Sequence, residues 1–270
     1  MDALKPPRIS VRNLSKTWNG TRGPVEALRN ISIDVAPHEF VSVVGPSGCG
    51  KSTLLGLVAG FNDPSAGEIL ADGRRVTGPS PARGVMFQDY ALFPWRTVAD
   101  NIAFGPLALR RPRAEREATA QRLISLVGLE SFEQRYPHEL SGGMRQRCAL
   151  ARMLANDPAV WLMDEPLAAL DPQTRIVMQD ELLRIWGDER PADERRAVLF
   201  VTHGIDEAVH LSDRVVVLAR RPGRIHSVID IDLPRPRAPL RGSPAAAKLA
   251  ADIWNLIRDE AVAAIREEPN

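Results

Sequence analysis

The 270 residues are 26% charged and 44% hydrophobic, with 35 Lys and Arg against 34 Asp and Glu and a formal net charge of +1. This is the composition of an ordinary soluble globule, long enough for one large domain or a domain with an inserted lobe, and its charge balance gives no electrostatic case for nucleic acid as the main partner. No apolar run approaches the roughly 18 residues of a membrane-spanning helix, and the start, Met1-Asp2-Ala3-Leu4-Lys5-Pro6-Pro7, lacks an apolar signal core, so the protein is expected to stay in the cytosol. Two cysteines, Cys49 and Cys148, fit neither a disulfide framework nor a zinc site.

Residues 8–14 and 31–35 alternate apolar and polar, which predicts an antiparallel β layer with one wet face. Between them Trp18 lies in a polar, Gly-containing stretch; its ring is placed either to stack on a base or to pack a loop. The apolar run Phe40-Val41-Ser42-Val43-Val44 then leads into Gly45-Pro46-Ser47-Gly48-Cys49-Gly50-Lys51-Ser52-Thr53, followed by a helix-like stretch at 54–59. Glycines at 45, 48 and 50 let the backbone form a nest of inward N–H groups, and the helix adds its positive end, so this is a polyphosphate site. Its spacing assigns Lys51 to the β and γ phosphates and the Ser52 hydroxyl to Mg²⁺. Cys49 is either a thiol made reactive by the helix end or a small filler of a tight loop.

Two later apolar runs repeat the arrangement: 159–163 ends in Asp164-Glu165, and 197–202 ends in His203. Such runs read as parallel strands covered on both faces, and ligands of such sheets sit at the carboxyl ends of the strands. A carboxylate at Asp164 suits Mg²⁺, and Glu165 is placed to activate a water for in-line attack; the competing role for an Asp-Glu pair is a helix N-cap. His203 is either a core histidine or a donor to the γ phosphate. Gln88 follows the short run Val85-Met86-Phe87 and carries an amide suited to Mg²⁺ or the attacking water.

Between Arg96 and Leu154 the sequence is long, charged and helix-forming, which predicts an inserted helical lobe with helices over 113–127 and 144–154. Within it Ser141-Gly142-Gly143 opens a second helix. This is either an ordinary Ser N-cap or a second anion-binding helix end serving another molecule's phosphate. After His203 come a short strand at 214–218, the basic turn Arg220-Arg221-Pro222-Gly223-Arg224, an alternating run at 225–233, a Pro-rich link at 234–239 and a helix over 245–265 with Leu249, Ile253, Leu256, Ile257 and Ala261 on one face.

Taken in order, residues 45–53, Gln88, Leu140 to Arg147, Val160 to Pro166, Leu170-Asp171 and His203 resemble the phosphate loop, glutamine loop, signature, acidic strand, aspartate loop and switch histidine of the ATP-binding-cassette ATPases. The resemblance covers nearly the whole chain. It implies an α/β fold: a P-loop (RecA-like) core sheet, residues 1–88 and 158–233, with an N-terminal antiparallel β layer, an inserted α-helical signature lobe at 89–157, and a Pro-rich link and C-terminal helix at 234–270.

The same resemblance implies ATP hydrolysis with Mg²⁺ held by Ser52, Gln88 and Asp164, and catalysis by Glu165, His203, Gln88 and Lys51. It implies a nucleotide-sandwich homodimer in which Ser141, Gly142 and Gly143 of one subunit close on the γ phosphate held by Lys51 of the other, with Asp171 coupling the two sites. Trp18 matches the adenine-stacking aromatic, more often Tyr in the family. Gly204 stands where Asp is frequent, and Ala168-Ala169 precede Leu170.

Residues 83–95 and Arg221 to Ile225 look like the importer subgroup serving nitrate, aliphatic sulfonates and taurine. For that subgroup the expected partners are two integral membrane permease subunits and, indirectly, an extracytoplasmic solute-binding protein, with the ATPase peripheral on the cytoplasmic face of the inner membrane. Tyr90, Leu92, Phe93 and Trp95 then form either the groove for a permease helix or a core between lobes. An importer subunit for another small solute, a soluble cassette acting on nucleic acid or ribosomes, and a non-catalytic nucleotide-binding module are the competing functions.

Overall fold

Bulges shape the opening hairpin, in which β1 (Ile9–Gly20) pairs antiparallel with β2 (Gly23–Val35). A computed structural model of the chain describes residues 7–21, 23–188 and 196–267, with side chains as far as residue 258. It divides into two compact units, Met1–Pro79 with Gln179–Asn270, and Ser80–Met178.

In the first unit β1 also pairs with β4 (Ala66–Ala71), which pairs with the short β5 (Arg74–Arg75). The β1–β2 register shifts between Val11 and Leu14, between Leu14 and Lys16 and again before Thr17. Asn13 and Asn30 take left-handed φ of 47° and 51°, a conformation that asparagine tolerates and that lets each strand absorb an extra residue. Each shift resets the alternation of inward and outward side chains. The strands therefore run well past the 8–14 and 31–35 segments that alternation alone marks, and Trp18 sits on a strand opposite Val25, not in a loop.

The second sheet layer of this unit places β3 (Phe40–Val44) between parallel β8 (Ala197–Val201) and parallel β9 (Arg214–Ala219), with β10 (Arg224–Asp230) antiparallel on β9. β3 and β8 are buried at every residue, as a strand covered on both faces requires. Val43 lies opposite Val201, so the chain leaves β3 at Gly45 and β8 at Thr202 and His203 on the same carboxyl edge. Phe40 anchors the other end against Trp186 and Phe200, each ring centroid 5.6 Å away.

Helix α1 (Lys51–Ala59) follows β3, and α6 (Ile205–Leu211) follows β8. The last helix, α7 (Pro244–Glu267), lays Ile253 with Leu249, Leu256 and Ile257 against Val44, Val209, Val215 and Ile231. That is the face its helical period predicts, apart from Ala261, which lies outside the described side chains.

In the second unit β6 (Arg83–Met86) and β7 (Val160–Asp164) pair in parallel, Met86 opposite Met163. Around them stand α2 (Val98–Ala108), α3 (Arg113–Leu126) and α4 (Gly142–Leu154), and α5 (Pro172–Leu183) begins here. Thr97 starts α2 by accepting from Asp100 N at 3.2 Å. Among the described residues no helix is long and apolar enough to cross a membrane.

Candidate active site

The phosphate loop is held open by its neighbours. Gly48 and Gly50 have φ of 74° and 96°. A Cβ on Gly50 would lie 2.6 Å from Leu28 Cδ2 and 2.9 Å from the Ala27 carbonyl oxygen. One on Gly45 would meet the Leu218 carbonyl oxygen at 2.6 Å. Glycine is therefore demanded at 45 and 50 by crowding from β2 and β9 as well as by conformation.

Gly50 caps α1 without any side-chain bond, and no acidic residue occupies the first turn, so backbone N–H groups and the helix dipole present uncompensated positive potential there. Lys51 is only 5% exposed. Its ammonium donates to the carbonyl oxygens of Gly45 at 2.8 Å and Pro46 at 3.0 Å, which offsets the burial of the charge and holds it across the loop. Ser52 is exposed and Thr53 half-buried.

Cys49 is fully buried, and burial pushes its thiol above the ordinary range despite the nearby Lys51 ammonium. Of the two roles open to it in the sequence, the filler holds: desolvation outweighs the helix end, and the thiol is not activated. Cys148 is likewise buried, its thiol pushed up to about 12.

Residues of the basic turn 220–224 close the loop from outside. Gly223 accepts from Arg29 N and donates to the Ala27 carbonyl, and a Cβ there would stand 2.0 Å from the Cys49 carbonyl oxygen. The Arg221 guanidinium comes within 3.5 Å of where a Cβ on Gly48 would be, so a further cation stands beside the loop.

At the edge shared with this loop, His203 is exposed. The turn around it is fixed by Thr202, whose hydroxyl donates to Glu207 and accepts from Gly204 N at 3.0 Å. Gln179 bonds the other Glu207 oxygen at 3.1 Å, so the first turn of α6 is held by a buried polar cluster. Gly204 serves as the α6 N-cap, with extended backbone. Trp18 is 39% exposed, and the Lys16 ammonium lies 4.3 Å from its ring centroid.

In the second unit β7 delivers Asp164, 8% exposed, and then Glu165, whose φ of 49° is a left-handed conformation rare for a glutamate. Such backbone carries about 1–3 kcal/mol of strain and gathers at functional sites. The Gln88 amide donates to Glu165 Oε2 at 3.4 Å, so the two side chains meet where β6 and β7 end.

Ser141 accepts from Met144 N at 3.2 Å, the ordinary N-cap bond of α4. Gly142 has open space on its Cβ side, while a Cβ on Gly143 would stand 3.0 Å from Leu170 Cδ2. Asp171 caps α5, accepting from Gln173 N at 3.1 Å and Thr174 N at 3.0 Å; the Thr174 bonds hold its carboxyl below the usual range.

The 90–95 loop is more tightly built than its sequence suggests. Tyr90 and Ala91 both have left-handed φ, 64° and 46°, and Arg152 of α4 donates to their carbonyls at 2.9 and 2.6 Å. Asn101, fully buried, accepts from Phe93 N and donates to the carbonyls of Phe93, Arg96 and Thr97. Phe93 packs on Phe104 at 4.5 Å, whereas Trp95 is 71% exposed. Arg152 carries no local sequence signal for this task, because it acts on carbonyls 61 and 62 residues away, whereas Asn101 reaches back only 4 to 8 residues.

Comparison with known proteins agrees with this geometry. The ABC transporter family model matches residues 28–168. An uncharacterised ABC transporter ATP-binding protein of Methanocaldococcus jannaschii is 50% identical over 259 residues, 96% of this chain and 94% of that protein. The taurine import ATP-binding protein TauB of Roseobacter denitrificans is 47% identical, covering 81% of this chain and 80% of its own. The aliphatic sulfonates import ATP-binding protein SsuB of Bacillus cereus is 45% identical over 85% and 88%. Among solved structures, a dimeric post-hydrolysis state of an ATP-binding cassette bound to ADP and Pi superposes with a TM-score of 0.74 at 28% identity, covering 83% of this chain and 99% of that one. A family model over more than half of the chain, and relatives 45–50% identical over four-fifths or more of both partners, show that the chain belongs to the ABC transporter family, as an ATP-binding-cassette ATPase subunit.

Proposed function

We propose that this ATPase powers uptake of a small anion, an aliphatic sulfonate, taurine or nitrate, as the peripheral subunit of an importer at the cytoplasmic face of the inner membrane. The observation that carries the reading is the 45–47% identity, over more than four-fifths of the chain, to ATP-binding subunits named for sulfonate and taurine import. The exposed Trp95 beside a braced 90–95 loop supports a docking place for a permease helix, since such contacts use exposed apolar anchors on a rigid frame. An extracytoplasmic solute-binding protein completes the system.

In this reading the loop N–H groups of Gly45, Pro46's neighbours Ser47 to Gly50, and Lys51 with Thr53 hold the triphosphate, and Trp18 faces the adenine. Ser52, Gln88 and Asp164 supply a hydroxyl, an amide and a carboxylate. This all-oxygen set suits Mg²⁺ bound mainly through the triphosphate, which neutralises phosphate charge. Among the described residues no group of three or more His, Cys, Asp or Glu could hold an ion by itself.

Glu165, oriented by Gln88, takes the proton of the attacking water, a role worth about 10²–10⁴-fold. His203 contacts the γ phosphate and registers its loss. Two copies close around ATP, Ser141, Gly142 and Gly143 of each meeting the phosphate on the other, and Asp171 links the two sites across the interface. The solved dimeric cassette supports this assembly.

The test is Glu165→Gln in the complex with its permease. The variant should keep ATP affinity, lose turnover by about 10²-fold or more and accumulate an ATP-bound dimer. Hydrolysis at the wild-type rate would refute Glu165 as the base. Stimulation by taurine-, sulfonate- or nitrate-loaded binding protein identifies the solute, and stimulation by none of them removes the anion assignment.

A further inference from the structure

A cavity lies in the first unit, between α6, the Pro-rich link and α7, with a volume of about 320 Å³. Small-molecule sites begin at about that size. Val209, Leu233, Leu240 and Ala246 give it largely apolar walls. Its polar end is built from Arg237, Arg241 and His210, with Asp206 also on its wall.

Arg237 is 3% exposed, a burial unusual for a guanidinium. It donates to the Val209 carbonyl at 3.0 Å and the Ile231 carbonyl at 3.4 Å, but its Nε has no hydrogen-bond partner. Its nearest carboxylate, Asp213, stands 3.8 Å away and already receives Arg235 at 2.6 Å. One carboxylate thus serves two guanidinium groups. Burial depresses Arg237 to about 10, the mark of a cation short of compensation. Arg241 is held at the same end by Gln179 at 2.8 Å and by Asp180 at 2.9 Å, an oxygen that His210 shares. His210 is itself shifted down by burial, which favours its neutral form.

We propose that this cavity binds a small organic anion, a sulfonate or carboxylate on a short apolar body, with its acidic group on Arg237 and Arg241 and its body on the aliphatic walls. A hydrophobic occupant alone would leave the buried guanidinium uncompensated, and an inorganic oxyanion would leave the apolar walls unused. Asp206 is exposed, so its charge is screened by water where that of Arg237 is not. The occupant would rest on the helix that starts just after His203 and Gly204, and would join it to the link and α7. The inference stands on the cavity alone and is independent of which solute the importer carries.

Calorimetric titration of the full chain, saturated with Mg·ADP so that the phosphate loop is filled, tests it with 1-butanesulfonate and with inorganic sulfate at matched ionic strength. One molecule of butanesulfonate should bind per chain, about tenfold or more tighter than sulfate. Ala246→Met, which fills the cavity without removing a charge, and Arg237→Gln, which removes the cation, should each weaken it by about tenfold or more while leaving Mg·ADP affinity unchanged. No binding at millimolar butanesulfonate, equal binding of sulfate, or wild-type affinity in a folded Ala246→Met variant would each overturn the proposal.

Discussion

Gly50→Ala set against Gly73→Ala separates crowding from conformation. Both glycines have left-handed φ, 96° and 73°, so both alanines carry the conformational penalty of about 1–2 kcal/mol. At Gly73 a new methyl meets nothing within 4 Å. At Gly50 it would stand 2.6 Å from Leu28, a fully buried side chain, and 2.9 Å from the Ala27 carbonyl, which is itself bonded to Gly223 N. Backbone held on both sides cannot yield cheaply, and overpacking of this kind adds about 1–3 kcal/mol.

The expected totals are about 3 kcal/mol at 50 and about 1 kcal/mol at 73. For a chain of this size that is roughly 6–12 °C against 2–4 °C in melting temperature. Scanning calorimetry reads the first quantity, and titration with a fluorescent ATP analogue reads the second consequence. Gly50→Ala should lose affinity by about tenfold or more, because the loop must move to admit the methyl; Gly73→Ala should bind like wild type. If both variants melt together and bind equally, the hairpin does not shape the phosphate loop.

Gly142→Ala should leave the melting temperature nearly unchanged, since its Cβ direction is open, yet should suppress ATP-driven dimerisation by gel filtration if a partner's phosphate must approach there. Asn101→Ala removes four part-buried bonds to backbone at a cost of about 3 kcal/mol, and limited proteolysis should then open residues 90–96. His210 is depressed by burial, so the unfolded chain binds more protons as pH falls below its ordinary 6.5. Its contribution to stability is therefore complete above pH 6.5 and lost below it, and His210→Gln should flatten the denaturation midpoint across that window. Both thiols are buried and pushed up, so Ellman's reagent should label neither Cys49 nor Cys148 until the chain unfolds.

What the sequence makes legible is whatever rests on local geometry. The glycine conformations at 48 and 50, the fully buried runs at 40–44 and 197–201, and the packed face of α7 follow from spacing alone. The hairpin does not, because three register shifts scramble an alternation that is visible only in its unbulged ends. Cys49 shows the limit for chemistry: the sequence reveals the helix end beside it but not the depth of burial that wins. Arg152 and Arg221 work through carbonyls or space supplied by distant segments, and no window of sequence contains both sides of such a contact; Asn101 reaches back only 4 to 8 residues, but nothing in that window marks its amide as a brace.

Helix α4 joins two features that otherwise have nothing to do with each other. Its first residues form the serine-glycine tip, and ten residues on, about 15 Å along the axis, Arg152 grips the carbonyls of Tyr90 and Ala91. A hydrogen-bonded rod of this length compresses very little. Whatever shifts or turns its tip is thus handed almost undiminished to the loop carrying Trp95.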